Sequence, residues 1–363
     1  MRILHIVNDA DTGGAQTLIE QLLRVTRPGD EAHLLVLLFP ASLSSRLEAV
    51  ATSITYSRMS RKSVVPAKGV CDVLRLVKKH KIDVVHSHLH QSDLINELTP
   101  HGRPRVSTLH SSLDVSSNPV AKIVWRTVAG LSGRFNAIVA CSASAKNFAA
   151  KLGYKFPAEQ MRIVHNGSAT APSPAPEPSG EPMFVHLARF AEPKDHPNLF
   201  RAFAMVREHV PGATLVCAGH GVDDSNQELT RELEHLGIRD AVSLLGPVDN
   251  VRELIRTAHA VVFSSYHEAL PMAGIEAIGE GVPVITTDTG DAKDLTVDGR
   301  AVVPVRNSQA LAEAMTWYVQ QTSEDRERMR QASWDKAATE FDAQVTADTY
   351  RQLYVQLLGA AKA

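Results

Sequence analysis

Strand-length apolar runs alternate with stretches in which apolar residues recur every three or four positions, and this alternation fills most of the chain. RILHIV (2–7), HLLVLLF (33–39), SITYS (53–57), DVVHSH (83–88), RVSTLH (105–110) and AIVACS (137–142) predict six strands in the first half. Between them, residues 15–25, 66–80 and 119–131 predict helices. In the second of these, Val70, Val73, Leu74 and Val77 fall on one face, with Lys78 and Lys79 turned outward. Strands that are apolar throughout and joined by amphipathic helices imply a parallel sheet covered on both faces.

The alternation stops at SATAPSPAPEPSGEP (168–182), where Pro, Ala and Ser exclude a helix or a central strand and predict an extended linker. It then restarts. MFVHLA (183–188), TLVCAG (214–219), VSLLG (242–246), AVVFSS (260–265) and PVITT (283–287) predict strands. Residues 197–208, a polar run ending at His235, and residues 251–256 predict helices, and from Ser308 onward the chain is expected to be helical. The pattern gives two doubly wound, Rossmann-like α/β domains: an N-terminal one over 1–170, a linker over 171–182, and a C-terminal one over 183–341. Residues 342–363 are expected to form a C-terminal helix, and the likeness drawn from the motifs below implies that it rejoins the first domain.

A length of 363 residues suits two such domains. With 44% hydrophobic and 21% charged residues the chain reads as globular, and no apolar run reaches a membrane span of about 18 residues. The opening MRILHIV is already strand-like, so a secretory leader is not expected. Cys71, Cys141 and Cys217 have neither disulfide nor metal-ligand spacing and read as small buried residues in a reducing cytoplasm. The net charge of −2 conceals an asymmetry, since residues 1–180 hold 21 Lys and Arg against 13 Asp and Glu. A basic first half suggests an anionic partner, with nucleic acid and a membrane surface as the candidates. The segment VAKIVWRTVAGLSGR (120–134) mixes Trp125 and aliphatics with Lys122, Arg126 and Arg134, as an interfacial helix does; an ordinary half-buried helix has the same pattern.

Three segments carry candidate chemistry. In HEALPMAGIEA, Glu268 falls in a strand-to-helix loop, and Pro271 suits the first turn of the helix that follows. The N–H groups of Ala269, Leu270 and Met272 are then placed to meet an anion at a helix N-terminus. Glu276, eight residues after Glu268, puts a second carboxylate on that helix, fit to hold hydroxyls at the other end of an extended ligand. In ARFAEPKDHPNLFRAF, Arg189 and Lys194 follow a strand and precede a helix, a reasonable diphosphate clamp. In NDADTGGAQ, Gly13 and Gly14 allow a ligand close to the backbone, although the dinucleotide fingerprint is absent. His86, His88 and His90 alternate past a strand. No cysteine or paired acid accompanies them, so they read as polar lining and not as metal ligands. His110, at a strand's carboxyl end, is the best single candidate for substrate contact.

In this order, with AIVACSAS, VHNGS and LVCAGHG between them, these segments resemble the GT-B glycosyltransferases of family 4, the group 1 retaining enzymes. The resemblance covers most of the chain and implies two domains facing a cleft. It also implies roles: Arg189 and Lys194 neutralise the diphosphate of a nucleotide-sugar donor, Glu276 binds the ribose, and Glu268 binds the sugar. His110 contacts that sugar from the first domain, Gly14 approaches the phosphates, and the amides near Leu270 assist. The implied reaction retains anomeric configuration and needs no metal or other cofactor. The acceptor is expected to be a cell-surface glycan or a lipid-linked precursor, met in the cytoplasm or on the inner face of a membrane, and nucleic acid drops out as a partner. Two features depart from the family pattern: Ala269 stands where Gly is common, and Glu280 sits in GEGVPV. Alternatives on the same architecture are a nucleotide-sugar epimerase, against which the Arg-x4-Lys pattern argues, and a non-catalytic cleft binding protein.

Overall fold

The structure is a computed structural model and describes residues 1–11, 13–60, 66–110 and 119–360. Thr12 of the glycine loop and the last three residues of the predicted C-terminal helix lie outside the described residues. The chain forms two units, Met1–Gly167 with Ala343–Ala363, and Ser168–Asp342.

The first unit runs β1 (Arg2–Val7), α1 (Gly14–Arg24), β2 (Glu31–Val36), α2 (Ser44–Val50), β3 (Ser53–Tyr56), α3 (Ala67–Lys79), β4 (Val84–His88), α4 (His90–Leu98), β5 (Arg105–Leu109), α5 (Pro119–Leu131), β6 (Ala137–Ala140), α6 (Ala143–Lys151) and β7 (Arg162–Ile163). Its seven strands lie in the order β3-β2-β1-β4-β5-β6-β7, each pair parallel. The order reverses between β1 and β4, and at such a switch point the loops leaving the carboxyl ends diverge to open a crevice. The predicted face of α3 needs correcting. Asp72, Val73, Leu76 and Val77 are buried, while Leu74 is exposed. The inward stripe is rotated because the Asp72 carboxylate accepts a 2.8 Å hydrogen bond from the buried Ser57 hydroxyl. Cys71 on the same helix is exposed, unlike the buried Cys141 and Cys217.

The second unit runs β8 (Met183–Leu187), α7 (His196–His209), β9 (Thr214–Ala218), α8 (Gln227–His235), β10 (Val242–Leu244), α9 (Val251–Arg256), β11 (Ala260–Phe263), α10 (Met272–Gly279), β12 (Val284–Thr287), β13 (Val302–Val303), α11 (Ser308–Val319) and α12 (Ser323–Lys336). Its sheet is β10-β9-β8-β11-β12-β13, again parallel, with the switch point between β8 and β11. Two cores cover the two faces, one around Phe184, Phe200, Phe203 and Tyr318, the other around Phe263, Ile275, Ile278 and Phe341. The Pro-rich stretch has no helix or strand and packs on this unit. Ala171 and Ala175 donate backbone hydrogen bonds to Gly279 and Glu280, and Ala175 is buried. Glu280 caps α10 and is itself buried, its carboxylate paired with Arg252 and Arg256.

The chain ends in α13 (Ala343–Ala360), which belongs to the first unit. It buries Tyr350, Leu353 and Tyr354 against Ile3, Leu18, Val84 and Val106.

Candidate active site

In the second unit, β8 and β11 are neighbours at the switch point, so the loops that leave them emerge side by side. Beyond β8 the chain places Arg189, exposed and without an ion pair among the described residues, and then a short turn ending at Lys194. Asp195 follows in the left-handed region, φ 50°, and its carboxylate caps α7 by accepting from Asn198 N–H at 3.3 Å. Beyond β11, Ser264 donates from Oγ to the Lys194 carbonyl at 2.8 Å, and Tyr266 N–H donates to the Pro193 carbonyl at 3.0 Å. These two bonds stitch the loops together.

Lys194 Nζ forms an ion pair with the Glu268 carboxylate, whose side chain is 11% exposed. The same carboxylate oxygen accepts from Ser265 Oγ at 3.0 Å, and Glu268 N–H donates to Thr289 Oγ1 at 3.2 Å. Gly290 closes this corner at φ 54°, where an added Cβ would overlap the Glu268 carbonyl oxygen, so only glycine lets the β12 loop come this close. Asp291 N–H ties the loop to the Ala269 carbonyl at 2.9 Å.

The helix that begins here, α10, has Pro271 at its N-cap and no side-chain cap. Its first N–H groups have no intrahelical acceptors, and Leu270 and Met272 at its start are buried. A helix N-terminus without a side-chain cap, beside Lys194 on the neighbouring loop, is an environment that favours negative charge. Contrast α7, whose N-terminus is already occupied by Asp195. Glu276 lies half-buried one turn into α10.

Beneath the cations sit two imidazoles. His186 Nδ1–H donates to the Val262 carbonyl at 2.7 Å, and its ring meets that of His196 edge-on at 4.9 Å. Burial pushes His186 down to about 4 and His196 to about 3, so both are neutral at pH 7. Positive charge at this edge therefore comes from Arg189 and Lys194. Sequence reasoning missed Ser265, Thr289, Gly290 and Arg306, whose guanidinium stacks 4.1 Å over the Tyr266 ring. The Thr-Gly pair just past the predicted strand PVITT was the available signal for the β12 corner.

In the first unit, Gly13 is the extended N-cap of α1, φ −171°, and Gly14 opens the helix, exposed. No side chain caps α1, so close approach to its N–H groups is open. The expected alternation of His86, His88 and His90 fails. Leu89 turns at φ 74°, α4 starts, and His90 is carried away to pack against Trp125, their rings tilted by 47° with centroids 4.4 Å apart. His5 from β1 takes its place. His5, His86 and His88 offer nitrogens within 4.8 Å of one another. These nitrogens already bond elsewhere: those of His86 meet Tyr354 OH at 2.6 Å and Thr108 Oγ1 at 2.8 Å. Those of His88 meet His5 Nδ1 at 3.1 Å and His110 Nε2 at 3.2 Å. In the structure the cluster is a hydrogen-bonded network. His110 Nδ1 is buried with no partner among the described residues.

Two family models match, Glycosyltransferase Family 4 over residues 12–171 and Glycosyl transferases group 1 over residues 169–335. The chain belongs to the group 1 GT-B glycosyltransferases. Among curated proteins, the GDP-mannose:cellobiosyl-diphosphopolyprenol alpha-mannosyltransferase of Komagataeibacter xylinus is 26% identical, with 99% of this chain and 94% of that protein aligned. An uncharacterized glycosyltransferase of Methanocaldococcus jannaschii is 34% identical over 106 residues, only 29% of this chain and 26% of its own length. Among solved structures, Anabaena HepE in complex with UDP and glucose superimposes with a TM-score of 0.80 at 18% identity, over 98% of this chain and all of that one. That likeness shows the same two-domain, parallel-sheet fold.

Proposed function

We propose that this glycosyltransferase takes its sugar from a nucleoside-diphosphate donor held at the β8/β11 edge, and transfers it with retention of configuration. The observation that carries the reading is the convergence of Arg189, Lys194 and the uncapped N-terminus of α10 on one crevice. As the bond to the sugar breaks, charge builds on the departing diphosphate. Fixed cations and N–H dipoles stabilise it where it forms, which leaves a divalent metal no necessary part. Glu276 then holds the ribose hydroxyls and Glu268 the sugar, with Lys194 exchanging its carboxylate partner for phosphate when donor binds. His110 in the first unit meets a hydroxyl of the sugar, and Gly13 and Gly14 admit the phosphates to the start of α1. The K. xylinus relative uses GDP-mannose and a diphosphopolyprenol acceptor, and HepE was solved with UDP. Both support a nucleotide-sugar donor and a glycan or lipid-linked acceptor here.

A thermal-shift series with nucleoside diphosphates tests the donor site. A ligand at 100 times its Kd stabilises the folded form by about 2.7 kcal/mol, a rise of about 5–10 °C for a unit of this size. The expected result is a shift with one base that disappears in Glu276→Ala. No shift with any nucleotide or nucleotide sugar removes the reading.

The acceptor side is proposed to rest on an anionic membrane through α5, which exposes Ile123 beside Lys122 and Arg126. Among the described residues no helix is long and apolar enough to cross a membrane. Sedimentation with vesicles of phosphatidylglycerol and phosphatidylcholine is expected to pull down the protein at low salt, and Lys122→Glu/Arg126→Glu to abolish it. Equal sedimentation of both proteins, or of neither, removes α5 from this role.

A further inference from the structure

Three imidazoles from three adjacent strands run in file through the first unit: His5 on β1, His88 at the end of β4, and His110 just past β5. His5 Nδ1 faces His88 Nε2 at 3.1 Å, and His88 Nδ1 faces His110 Nε2 at 3.2 Å. The rings are roughly parallel, 28° and 30° apart, with centroids 5.4 and 5.5 Å apart. Both nitrogens of His88 are thus committed, one to each neighbour.

A neutral imidazole has one N–H and one lone pair. Two such rings bond only if one gives what the other lacks, so the proton order along the file is cooperative. If His5 carries its proton on Nδ1, His88 must accept at Nε2 and carry Nδ1–H, and His110 must do the same. If His5 carries it on Nε2, all three are Nε2–H. Any mixture sets two N–H groups or two lone pairs face to face in a buried site, which is costly. Burial holds the rings neutral, with His5 near 4, His110 near 3 and His88 well below its ordinary value.

We propose that His5 and His88 are positioning residues that set which nitrogen of His110 carries the proton, and so whether His110 Nδ1 meets a sugar hydroxyl as donor or acceptor. The two ends of the file support this. At one end His110 Nδ1 is buried and without a partner among the described residues, a polar atom left for a ligand. At the other, His5 lines a cavity of about 50 Å³ shared with Met1, Asp30, Tyr350, Arg351 and Tyr354. The cavity is lined mainly by apolar side chains, but it has room for water beside the polar groups of Asp30 and Arg351, and water there serves either nitrogen state of His5. The kinetic consequence rests on the reading of His110 as a sugar contact; the tautomer order does not.

Long-range ¹H–¹⁵N correlation spectra of the full chain, labelled with ¹⁵N-histidine at pH 7.5, read the tautomers directly. His5, His88 and His110 are expected in one shared tautomer. His5→Phe removes the end of the file, and the two ¹⁵N shifts of His110 are expected to move toward each other as both tautomers populate. With transfer measured alongside, kcat is expected to fall about tenfold at unchanged donor KM, because a residue remote from substrate is lost but its orienting effect is felt. His5→Gln, which restores a donor and an acceptor, is expected to recover most of both signals. Unlike tautomers among the three rings in the unsubstituted protein overturn the proposal, whether or not any variant folds. So does an unchanged His110 spectrum in folded His5→Phe. Absence of sugar transfer with shared tautomers would strike the functional reading and leave the file intact.

Discussion

Arg189→Ala is expected to lower kcat for sugar transfer about 10²–10³-fold, the loss typical of removing one preorganised group from a developing negative charge. Its fold should be indifferent. Arg189 is exposed and makes no ion pair among the described residues, and such surface substitutions stay within about 0.5 kcal/mol. Lys194→Ala is expected to cost transfer a similar factor while also touching stability. The Glu268 carboxylate loses its cation and keeps the Ser265 hydrogen bond in a site where it is 11% exposed. The two variants therefore separate charge stabilisation from architecture: both lose kcat, but Arg189→Ala melts with the parent and Lys194→Ala below it. Lys194 and Glu268 form one pair, so adding Glu268→Ala to Lys194→Ala should cost less stability than the two singles summed. Steady-state kinetics beside melting curves decide the matter. An Arg189→Ala protein with parental kcat would place the diphosphate elsewhere.

The contrast between these residues and the histidines shows what the chain disclosed in advance. The places of Arg189, Lys194 and Glu268 could be read in advance because each follows a strand end within a short loop, and a parallel sheet puts its strand ends on one edge; Glu276 followed only from the helix expected after Pro271. Two parallel sheets followed from the apolar runs alone, whereas their strand orders and the places of their switch points did not. What could not be read was anything set by contacts distant in sequence. His5 joins His88 across 83 positions, and Thr289 reaches Glu268 from the far side of β12. The helices α2, α4 and α6 were missed for a local reason. In α4 the inward face is Ser92, Asp93, Asn96 and Glu97, so the polar pattern is inverted and no apolar stripe marks it. In α6 the buried residues are Ala145 and Ala149, too small to stand out, and α2 buries only Ser44 and Leu47. The expected alternation of His90 with His86 and His88 failed at the same place, because a left-handed Leu89 ends the strand's period where α4 begins.

That inverted face of α4 leads to a stability profile that falls toward alkaline pH. Asp93 takes a 2.7 Å hydrogen bond from Ser87, whereas both oxygens of Glu97 are buried without hydrogen-bond partners. Burial, with the Asp93 charge adding to it, pushes Glu97 up to about 9 against the opposing pull of Arg134 and Arg105; burial likewise pushes Asp93 to about 7. A carboxyl whose folded value is raised lends stability that is complete below its unfolded value near 4.5 and lost as pH climbs through 9. Between pH 7 and 9 Glu97 alone should cost about 2 kcal/mol. The histidines act in the opposite sense. Burial lowers His5 to about 4 and His101 and His110 to about 3 from 6.5, so their contribution is full above 6.5 and lost as the unfolded chain takes up protons below it. From pH 7.5 to 5.5 each should cost about 1.4 kcal/mol, about 4 kcal/mol for the three. Over the same range the raised carboxyls of Glu97 and Asp93 gain about 4 kcal/mol in return. Urea melts at pH 5.5, 7 and 9, with hydrogen exchange on β4 and β5 assigning the transition to the first unit, are therefore expected to show a nearly level acid side and a fall from pH 7 to 9. Glu97→Gln keeps the shape and discards the ionisation, so it should remove most of the alkaline loss and, because Glu97 otherwise gains stability on acidification, add a loss of about 2 kcal/mol from pH 7 to 5.5. A Glu97→Gln protein that still weakens at pH 9 as much as its parent would mean that Glu97 is ionised in the fold, paired with Arg105 or Arg134. The first unit would then be held by a charge network in place of the neutral one described here.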